Sequence, residues 1–335
     1  MELLQLRVKE TQDLTEQIRM IVLTHVDGKA LPVAAPGAHI RVHTGEAGSD
    51  LSAAPGSDLR DTRAYSLLMI GDDGADQGEV FQYEIAVKRE DEGKGGSRFM
   101  HSLKTGDRIC CELPRNDFML DAADSAVPVL LAGGIGITPL FAMAGALGRE
   151  GRAFHLHYAG RDRSQMALLR ELEALAGEGL MVHLDQDESK LDIDAILQSM
   201  QPEQHLYICG PAGLLDAVLA CAKQRGFPSQ QLHFELFNNP AAADDNAGSF
   251  EVRLAQSGKT FVIPPDKSIL EVLQEEGEDP LCDCCRGECG VCQVDVIEGE
   301  PDHRDYVLSD SEKASGKVMQ ICVSRSKSPL LVLDL

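Results

Sequence analysis

Positive charge is scarce in this chain of 335 residues: 31 Lys and Arg stand against 54 Asp and Glu, a net charge of −23. Nucleic acid is thereby excluded as a partner, because its phosphates would be repelled. An acidic surface suits solubility, or docking to a basic partner. Long apolar runs are also missing. None approaches the roughly 20 residues that a membrane-spanning helix needs, so no membrane partner is expected. Internal repeats are absent. No export signal opens the chain, since Met1-Glu-Leu-Leu-Gln-Leu-Arg runs into ordinary charged sequence. A reducing cytoplasm is the expected location, and structural disulfides are not expected there. What remains is ordinary for a globular protein, with 43 % hydrophobic and 25 % charged residues. The length suggests two or three domains.

Four of the ten cysteines carry the strongest signal. Cys284, Cys289 and Cys292 follow the spacing C-x4-C-x2-C, and 29 residues separate Cys292 from Cys322. This is the plant-type [2Fe-2S] ferredoxin arrangement. Two irons need four thiolates, three from one tight loop and one from a distant segment. Gly287 and Gly290 let that loop bend closely and turn N–H groups toward sulfur. A zinc knot from Cys282-x2-Cys285 and Cys289-x2-Cys292 is the competing reading. It leaves Cys284 and Cys322 without a task, and it ignores Met319-Gln-Ile-Cys322-Val, placed where a fourth cluster ligand belongs. Within Cys282-Asp-Cys-Cys285 the choice of ligand stays open. Residues 249–335 carry 17 acidic against 9 basic residues, so this part is itself acidic.

The chain divides into three blocks. Residues 1–121 read as short alternating β segments: Glu2–Val8, His39–His43, Tyr65–Ile70, Phe81–Arg89 and Asp107–Leu113, as in a small barrel. Thr44–Thr62 is polar and glycine-rich and reads as a surface loop. Residues 122–237 alternate strands and helices: Val127–Ala132, Pro139–Arg149, Ala153–Ala159, Gln165–Ala176, Met181–Leu184, His205–Cys209 and Ala212–Arg225. That rhythm predicts a parallel sheet covered by helices. Residues 238–248 read as a linker. Residues 249–335 open with a hairpin, Phe250–Ala255 and Lys259–Ile263. The helix Ser268–Glu276 follows, with Ser268 as its N-cap. The cysteine loop, Gln293–Ile297 and Leu330–Leu335 complete the block.

Two motifs sit at strand ends of the second block. Gly133-Gly134-Ile-Gly136-Ile-Thr138-Pro139 joins a strand to a helix, where backbone and helix N-terminus can receive a phosphate or a nicotinamide. It is not a strict G-x-G-x-x-G, because Pro139 takes the last place; proline is well tolerated there. Cys209-Gly210-Pro211 ends a later strand. Ligands of open α/β sheets collect at the carboxyl ends of strands, where both motifs lie. In the first block, Arg63-Ala64-Tyr65-Ser66 offers a cation, a ring and a hydroxyl in sequence. Ala86-Val87-Lys88 and the glycine nest Gly95-Gly96-Ser97 follow, the latter opening a helix and suited to a phosphate. Read alone, each of these is equally a strand edge or a turn.

Together these residues resemble the phthalate dioxygenase reductase family, a branch of the ferredoxin–NADP reductase-like flavoproteins. The likeness covers nearly the whole chain. It includes Leu113-Pro-Arg-Asn-Asp-Phe118, Phe234-Glu-Leu-Phe237, His303-Arg-Asp305 and Leu331-Val-Leu-Asp-Leu335 beside the motifs above. The resemblance implies a multidomain fold. An antiparallel β-barrel FMN domain comes first, then an α/β parallel-sheet NAD(P)H domain, then an α+β β-grasp plant-type ferredoxin domain. It implies FMN held by Arg63, Tyr65 and Ser66, flanked by Ala64, with Ala86 to Lys88 along the ring and ribityl chain. Gly95, Gly96 and Ser97 would take the phosphate. Thr138 would sit between flavin and nicotinamide, Cys209 beside the nicotinamide, and Phe237 against the isoalloxazine. With Ser66, these three are the residues expected nearest the chemistry; none is a general base or nucleophile, and none of the ten histidines is assigned a catalytic role. Two departures stand out. Thr44–Thr62 is long, and Cys285-Arg286 replaces the Arg and Glu frequent in relatives.

The path so implied runs from NADH through FMN and the [2Fe-2S] cluster to a Rieske non-haem iron oxygenase, with the chain itself monomeric. Arg161 and Arg163 lie where an adenosine ribose would be. Either could recognise a 2′-phosphate, hold the pyrophosphate, or do neither; the resemblance favours NADH over NADPH. Two other readings remain. One is a reductase for a different acceptor, such as a haem monooxygenase or an external carrier. The other is a zinc- or cluster-bearing sensor module on a degenerate flavoprotein body, with no bound flavin and no NADH turnover.

Overall fold

In Leu3–Asp13 (β1), Leu4, Leu6 and Val8 are buried while Arg7 and Lys9 are exposed, the period of a half-buried strand. The strands β2 (Ile18–His25), β3 (His39–His43), β4 (Thr62–Ser66) and β5 (Gln82–Lys88) follow. After the helix α1 (Gly96–Ser102), β6 (Arg108–Glu112) completes an antiparallel sheet of order β4-β3-β6-β1-β2-β5. A bridge between Leu67 and Ile85 joins the two edges, and the Leu68 N–H donates to the Glu84 carbonyl at 2.8 Å. The sheet thus closes into a barrel and removes its exposed edges. Leu6, Ile21, Leu23, Ile40, Val42, Ile85 and Ile109 fill it, with Phe99 and Met100 of α1. The computed structural model describes residues 3–44, 62–68, 79–93, 95–121, 126–186, 189–237 and 248–335. The expected loop Thr44–Thr62 and linker 238–248 lie, but for their ends, outside those residues.

The next strand, β7 (Val129–Gly133), is buried along its whole length, as strands covered on both faces are. Then come α2 (Ile137–Arg149), β8 (His155–Gly160), α3 (Leu169–Ala176), β9 (Leu180–Leu184), α4 (Ile193–Ser199), β10 (Leu206–Cys209), α5 (Ala212–Arg225) and β11 (Leu232–Glu235). The strands form a parallel sheet of order β11-β10-β7-β8-β9. Strand order therefore reverses between β7 and β10, and a crevice opens at their carboxyl ends. The expected helix at Ala212–Arg225 has those bounds, whereas α4 and β11 were not foreseen in the sequence.

The chain separates into two compact units, Met1–Glu235 and Leu236–Leu335. In the second, β12 (Phe250–Leu254) and β13 (Thr260–Ile263) form the expected hairpin. The helix α6 (Ile269–Glu275) starts at a full capping box: Ser268 Oγ accepts the Glu271 N–H at 3.1 Å, and Glu271 accepts the Ser268 N–H at 2.8 Å. Strands β14 (Gln293–Glu298) and β15 (Pro301–Asp302), helix α7 (Asp310–Ser315) and strands β16 (Val318–Gln320), β17 (Arg325–Ser326) and β18 (Leu330–Leu333) follow. The main sheet runs β13-β12-β18-β14-β16, with only β12 and β18 parallel, and β15 pairs with β17. Ile269, Leu270, Val272 and Leu273 of α6 close its core. Among the described residues no helix is long and apolar enough to cross a membrane.

One cation lies within this second unit. Arg325 is 2 % exposed; its guanidinium donates to the carbonyls of Lys267 at 2.8 Å, Pro264 at 3.1 Å and Gly248 at 3.3 Å, and lies over the Phe250 ring. Two chain segments, 248–250 and 264–267, are thereby tied to one side chain. Replacing Arg325 by Met should lower stability by about 3 kcal/mol, since buried carbonyls lose their donors. Denaturant titration of the variant would register this as a lower midpoint, and an unchanged midpoint would deny the tie.

Candidate cofactor sites

In the barrel, β3 and β4 pair so that His39 opposes Ser66 and Ile40 opposes Tyr65. Ser66 is buried, Tyr65 half-buried and Ala64 exposed. Burial pushes the Tyr65 phenol upward, so it stays protonated. Arg63 runs across the start of α1: a Cβ on Gly96 would come within 2.7 Å of its Cγ. Glycine is what lets the guanidinium stem and the helix start share that space. Gly95 takes φ +95° as the N-cap, and no side chain caps the first turn. Its N–H groups are the donors a phosphate would take. Ser97 Oγ accepts the Glu90 N–H at 3.0 Å and so fastens the preceding loop to α1. On β5, Ala86 and Val87 are buried and Lys88 is exposed. The Arg63, Gly96 and Ser97 positions named from the sequence are thus gathered at one end of α1.

The nucleotide motifs meet at the sheet's reversal. Ala132 and Cys209 are in register on β7 and β10. A Cβ on Gly136 would overlap the Cys209 carbonyl and lie 2.6 Å from the Gly210 nitrogen. A Cβ on Gly210 would be 3.1 Å from Gly133 Cα, and one on Gly133 would be 2.8 Å from Pro211 Cδ. Backbone meets backbone here because none of the three has a side chain. Gly134 continues the turn, and Pro139 lies in the first turn of α2. Thr138, 2 % exposed, donates its hydroxyl to the Ile135 carbonyl at 3.0 Å. Arg161 is exposed just past β8, where Asp162 accepts the Ser164 N–H at 2.7 Å. Arg163 is engaged by Glu173.

Sequence reasoning passed over His39 and Glu235. Both are buried, with Nδ1 4.0 Å from Oε1. Glu235 ends β11 in register with Cys209, and His39 opposes Ser66, so an ionisable pair lies between the barrel and the carboxyl edge of the sheet. Their separation of almost 200 residues hid the pairing; a charged residue ending an apolar strand was the available signal.

In the second unit, the loop after α6 carries Cys284, Cys289 and Cys292, and Cys322 joins them from the segment after β16. Cys284, Cys292 and Cys322 are buried, and Cys289 is partly so. The Cys289 thiol and the N–H groups of Arg286, Glu288 and Cys289 hold Cys284 down to about 5, against the effect of burial. Gly287 has φ +80°, and a Cβ there would meet Val323 at 2.7 Å. Among the described residues, no group of three or more His, Cys, Asp or Glu is arranged around a single metal ion. Four cysteine thiols gathered from a tight loop and a distant segment fit the donor set of a [2Fe-2S] cluster. Cys285 is exposed, and Cys282 accepts from Gln274 Nε2 at 3.4 Å. Burial raises Glu288 to about 7, with Arg286 opposing the shift.

Residues 130–219 match the oxidoreductase NAD-binding domain family, and residues 252–327 match the 2Fe-2S iron-sulfur cluster binding domain family. Fold and donor set thus define a nucleotide-dependent iron–sulfur oxidoreductase. The carnitine monooxygenase reductase subunit of Escherichia coli (strain K12) is 35 % identical over 337 residues, spanning 100 % of this chain and 99 % of that one. A solved phthalate dioxygenase reductase superposes with a TM-score of 0.73 at 38 % identity, covering 99 % of this chain and 98 % of that one. The chain belongs to the phthalate dioxygenase reductase family. It is an enzyme that moves electrons from NADH through FMN and a [2Fe-2S] cluster, a reductase of the kind that serves oxygenases. An intact type IV self-sufficient cytochrome P450 monooxygenase is also similar, with a TM-score of 0.70 at 32 % identity, covering 99 % of this chain but 41 % of that one.

Two substitutions test these sites. Gly136→Ala forces a methyl into the Cys209 carbonyl and should cost about 3 kcal/mol, read as a lower melting temperature together with weakened NADH binding. A variant as stable as the parent would refute the close approach. Cys322→Ser should cut NADH-driven cytochrome c reduction at least about tenfold while flavin reduction by NADH persists. Cytochrome c reduction at the parental rate would remove Cys322 from the ligand set.

Proposed function

We propose that this protein is the reductase of a Rieske non-haem iron oxygenase system, passing NADH electrons one at a time to that oxygenase and acting as a monomer in the cytoplasm. The carrying observation is the gathering of Cys284, Cys289, Cys292 and Cys322 in a unit with its own sheet, in a chain that also bears a nucleotide crevice. No disulfide joins any of the ten cysteines, which suits a reducing compartment. The domains we assign are 1–121, 122–237 and 249–335, joined by 238–248.

When bound, FMN supplies the exchange between hydride and single-electron chemistry, and the cluster carries one electron. The protein's part is placement. Arg63 and the first turn of α1 take the phosphate, with Gly95, Gly96 and Ser97 shaping the approach. Tyr65 and Ser66 border the ring, and Ala86 to Lys88 line its length. Gly133, Gly134 and Gly136, with Gly210 and Pro211, admit the nicotinamide end of NADH beside Cys209 and Thr138, and Phe237 covers the ring until it arrives. Arg161 stands free to meet the adenosine end. No proton needs to be taken from carbon for hydride transfer, so no general base is called for.

The similarity to a cytochrome P450 monooxygenase favours a second reading, in which the acceptor is a haem monooxygenase. An anaerobic titration with NADH should bleach flavin and iron–sulfur absorbance together. The reduced protein should then turn over a purified Rieske oxygenase, with its aromatic acid, quaternary amine or alkyl ether substrate, faster than a haem monooxygenase. Bands indifferent to NADH in the reconstituted protein would refute electron transfer altogether; preference for the haem enzyme would select the second reading.

A further inference from the structure

Asp305 lies between the two segments that supply the thiols, and its side chain is fully buried. The Tyr306 N–H donates to the Gly287 carbonyl at 2.9 Å, which joins residues 305–306 to the loop between Cys284 and Cys289. A Cβ on Gly287 would come within 3.2 Å of Asp305 Cα and 2.7 Å of Val323 Cγ2, next to Cys322. The Arg304 N–H donates to Ser324 Oγ at 3.3 Å, on the far side of Cys322. Asp305 thus sits where the thiol loop and the Cys322 segment meet. Few groups answer its charge. Oδ2 accepts the Leu308 N–H at 2.8 Å. Lys313 of α7 is 3.7 Å from Oδ2 and gives its hydrogen bond to the Asp305 carbonyl instead, at 2.5 Å. His303 Nδ1 stands 3.8 Å from Oδ1, and among the described residues Oδ1 has no hydrogen-bond donor. A buried carboxylate normally collects donors on both oxygens. Here one oxygen has none, so the charge is incompletely compensated and is felt by the groups around it.

We propose that the buried Asp305 carboxylate holds the reduction potential of the [2Fe-2S] cluster low, with Lys313 as the counter-charge that limits the effect. This rests on the assignment of the cluster to Cys284, Cys289, Cys292 and Cys322. The step concerned is one electron leaving the reduced flavin and entering the cluster; no bond forms or breaks at Asp305, and it exchanges no proton. The potentials of such clusters follow the net charge around them. A carboxylate nearby opposes the gain of an electron, and an ammonium favours it. A lower potential makes the reduced cluster a stronger donor to its acceptor.

The test uses the full-length, cofactor-loaded protein and its Asp305→Asn and Lys313→Gln variants. Each is titrated electrochemically while the paramagnetic resonance of the reduced cluster is followed. Asp305→Asn loses the charge but keeps an oxygen for the Leu308 N–H, so amide exchange at Leu308 should stay as in the parent. Its ratio of reduced to oxidised cluster at a fixed potential should rise about tenfold, or about 59 mV for one electron. In Lys313→Gln the same ratio should fall about threefold, a smaller change because Lys313 is partly exposed and screened. Opposite signs from the two partners of one contact are what a charge effect requires; a packing defect moves both variants the same way. Equal potentials in the parent and Asp305→Asn overturn the proposal. So do shifts of one sign in both variants, and so does loss of the cluster from both, which would make Asp305 merely structural. If Asp305→Asn alone loses its cluster, Lys313→Gln decides: a lowered potential upholds the proposal, and an unchanged one overturns it. A reconstituted parent without an iron–sulfur signal refutes the cluster assignment and takes this proposal with it, whereas an intact signal at an unshifted potential refutes this proposal alone.

Discussion

Contact between two backbones at the ends of β7 and β10 is the constraint on which the nucleotide site depends. The reversal of strand order opens a crevice there, but a crevice lined by ordinary side chains would be filled by them. Gly133, Gly136 and Gly210 have none, so the two backbones close on each other at its base, and Cys209 and Ala132 stay in register beside them. The start of α2 inherits its position from this contact, and with it Thr138. The barrel's Ser66 is reached from the same edge through His39 and Glu235.

A different logic governs the second unit. Its chemistry needs buried sulfur held by backbone, so the loop is shaped by N–H groups and by a glycine in the left-handed region, not by packing alone. Charge is answered locally: Glu288 by Arg286, and the backbone carbonyls around α6 by Arg325. An acidic unit that nevertheless buries Arg325 and holds Arg286 half-buried uses both as internal ties, while its surface stays negative.

Much of this was readable in the residues. Ser268 and Glu271 announce a capping box, His39–His43 alternates cleanly, and four cysteines at cluster spacing leave little freedom. The missed elements share a cause. Ile18-Arg-Met-Ile-Val-Leu-Thr-His is a strand without strict alternation, with Ile21, Val22 and Leu23 buried in succession. Leu232–Glu235 is too short to show a period. His39 with Glu235, and Glu288 with Leu236, are pairs whose members lie far apart in sequence, and periodicity carries no information about such meetings. Nothing in the sequence around Arg325 sets it apart from the other cations; only the fold surrounds it.

The barrel is stitched unequally. β1 and β2 pair over a long register, whereas among the described residues β4 and β5 meet at the single Leu67–Ile85 bridge and the Leu68 to Glu84 hydrogen bond. Extra chain between strands costs little entropy once their ends are fixed, growing only with the logarithm of its length. A lineage can therefore lengthen this barrel beside its seam without disturbing the strands that carry Arg63, Tyr65 and Ser66. The seam is where such proteins are free to diverge in size while their electron path stays the same.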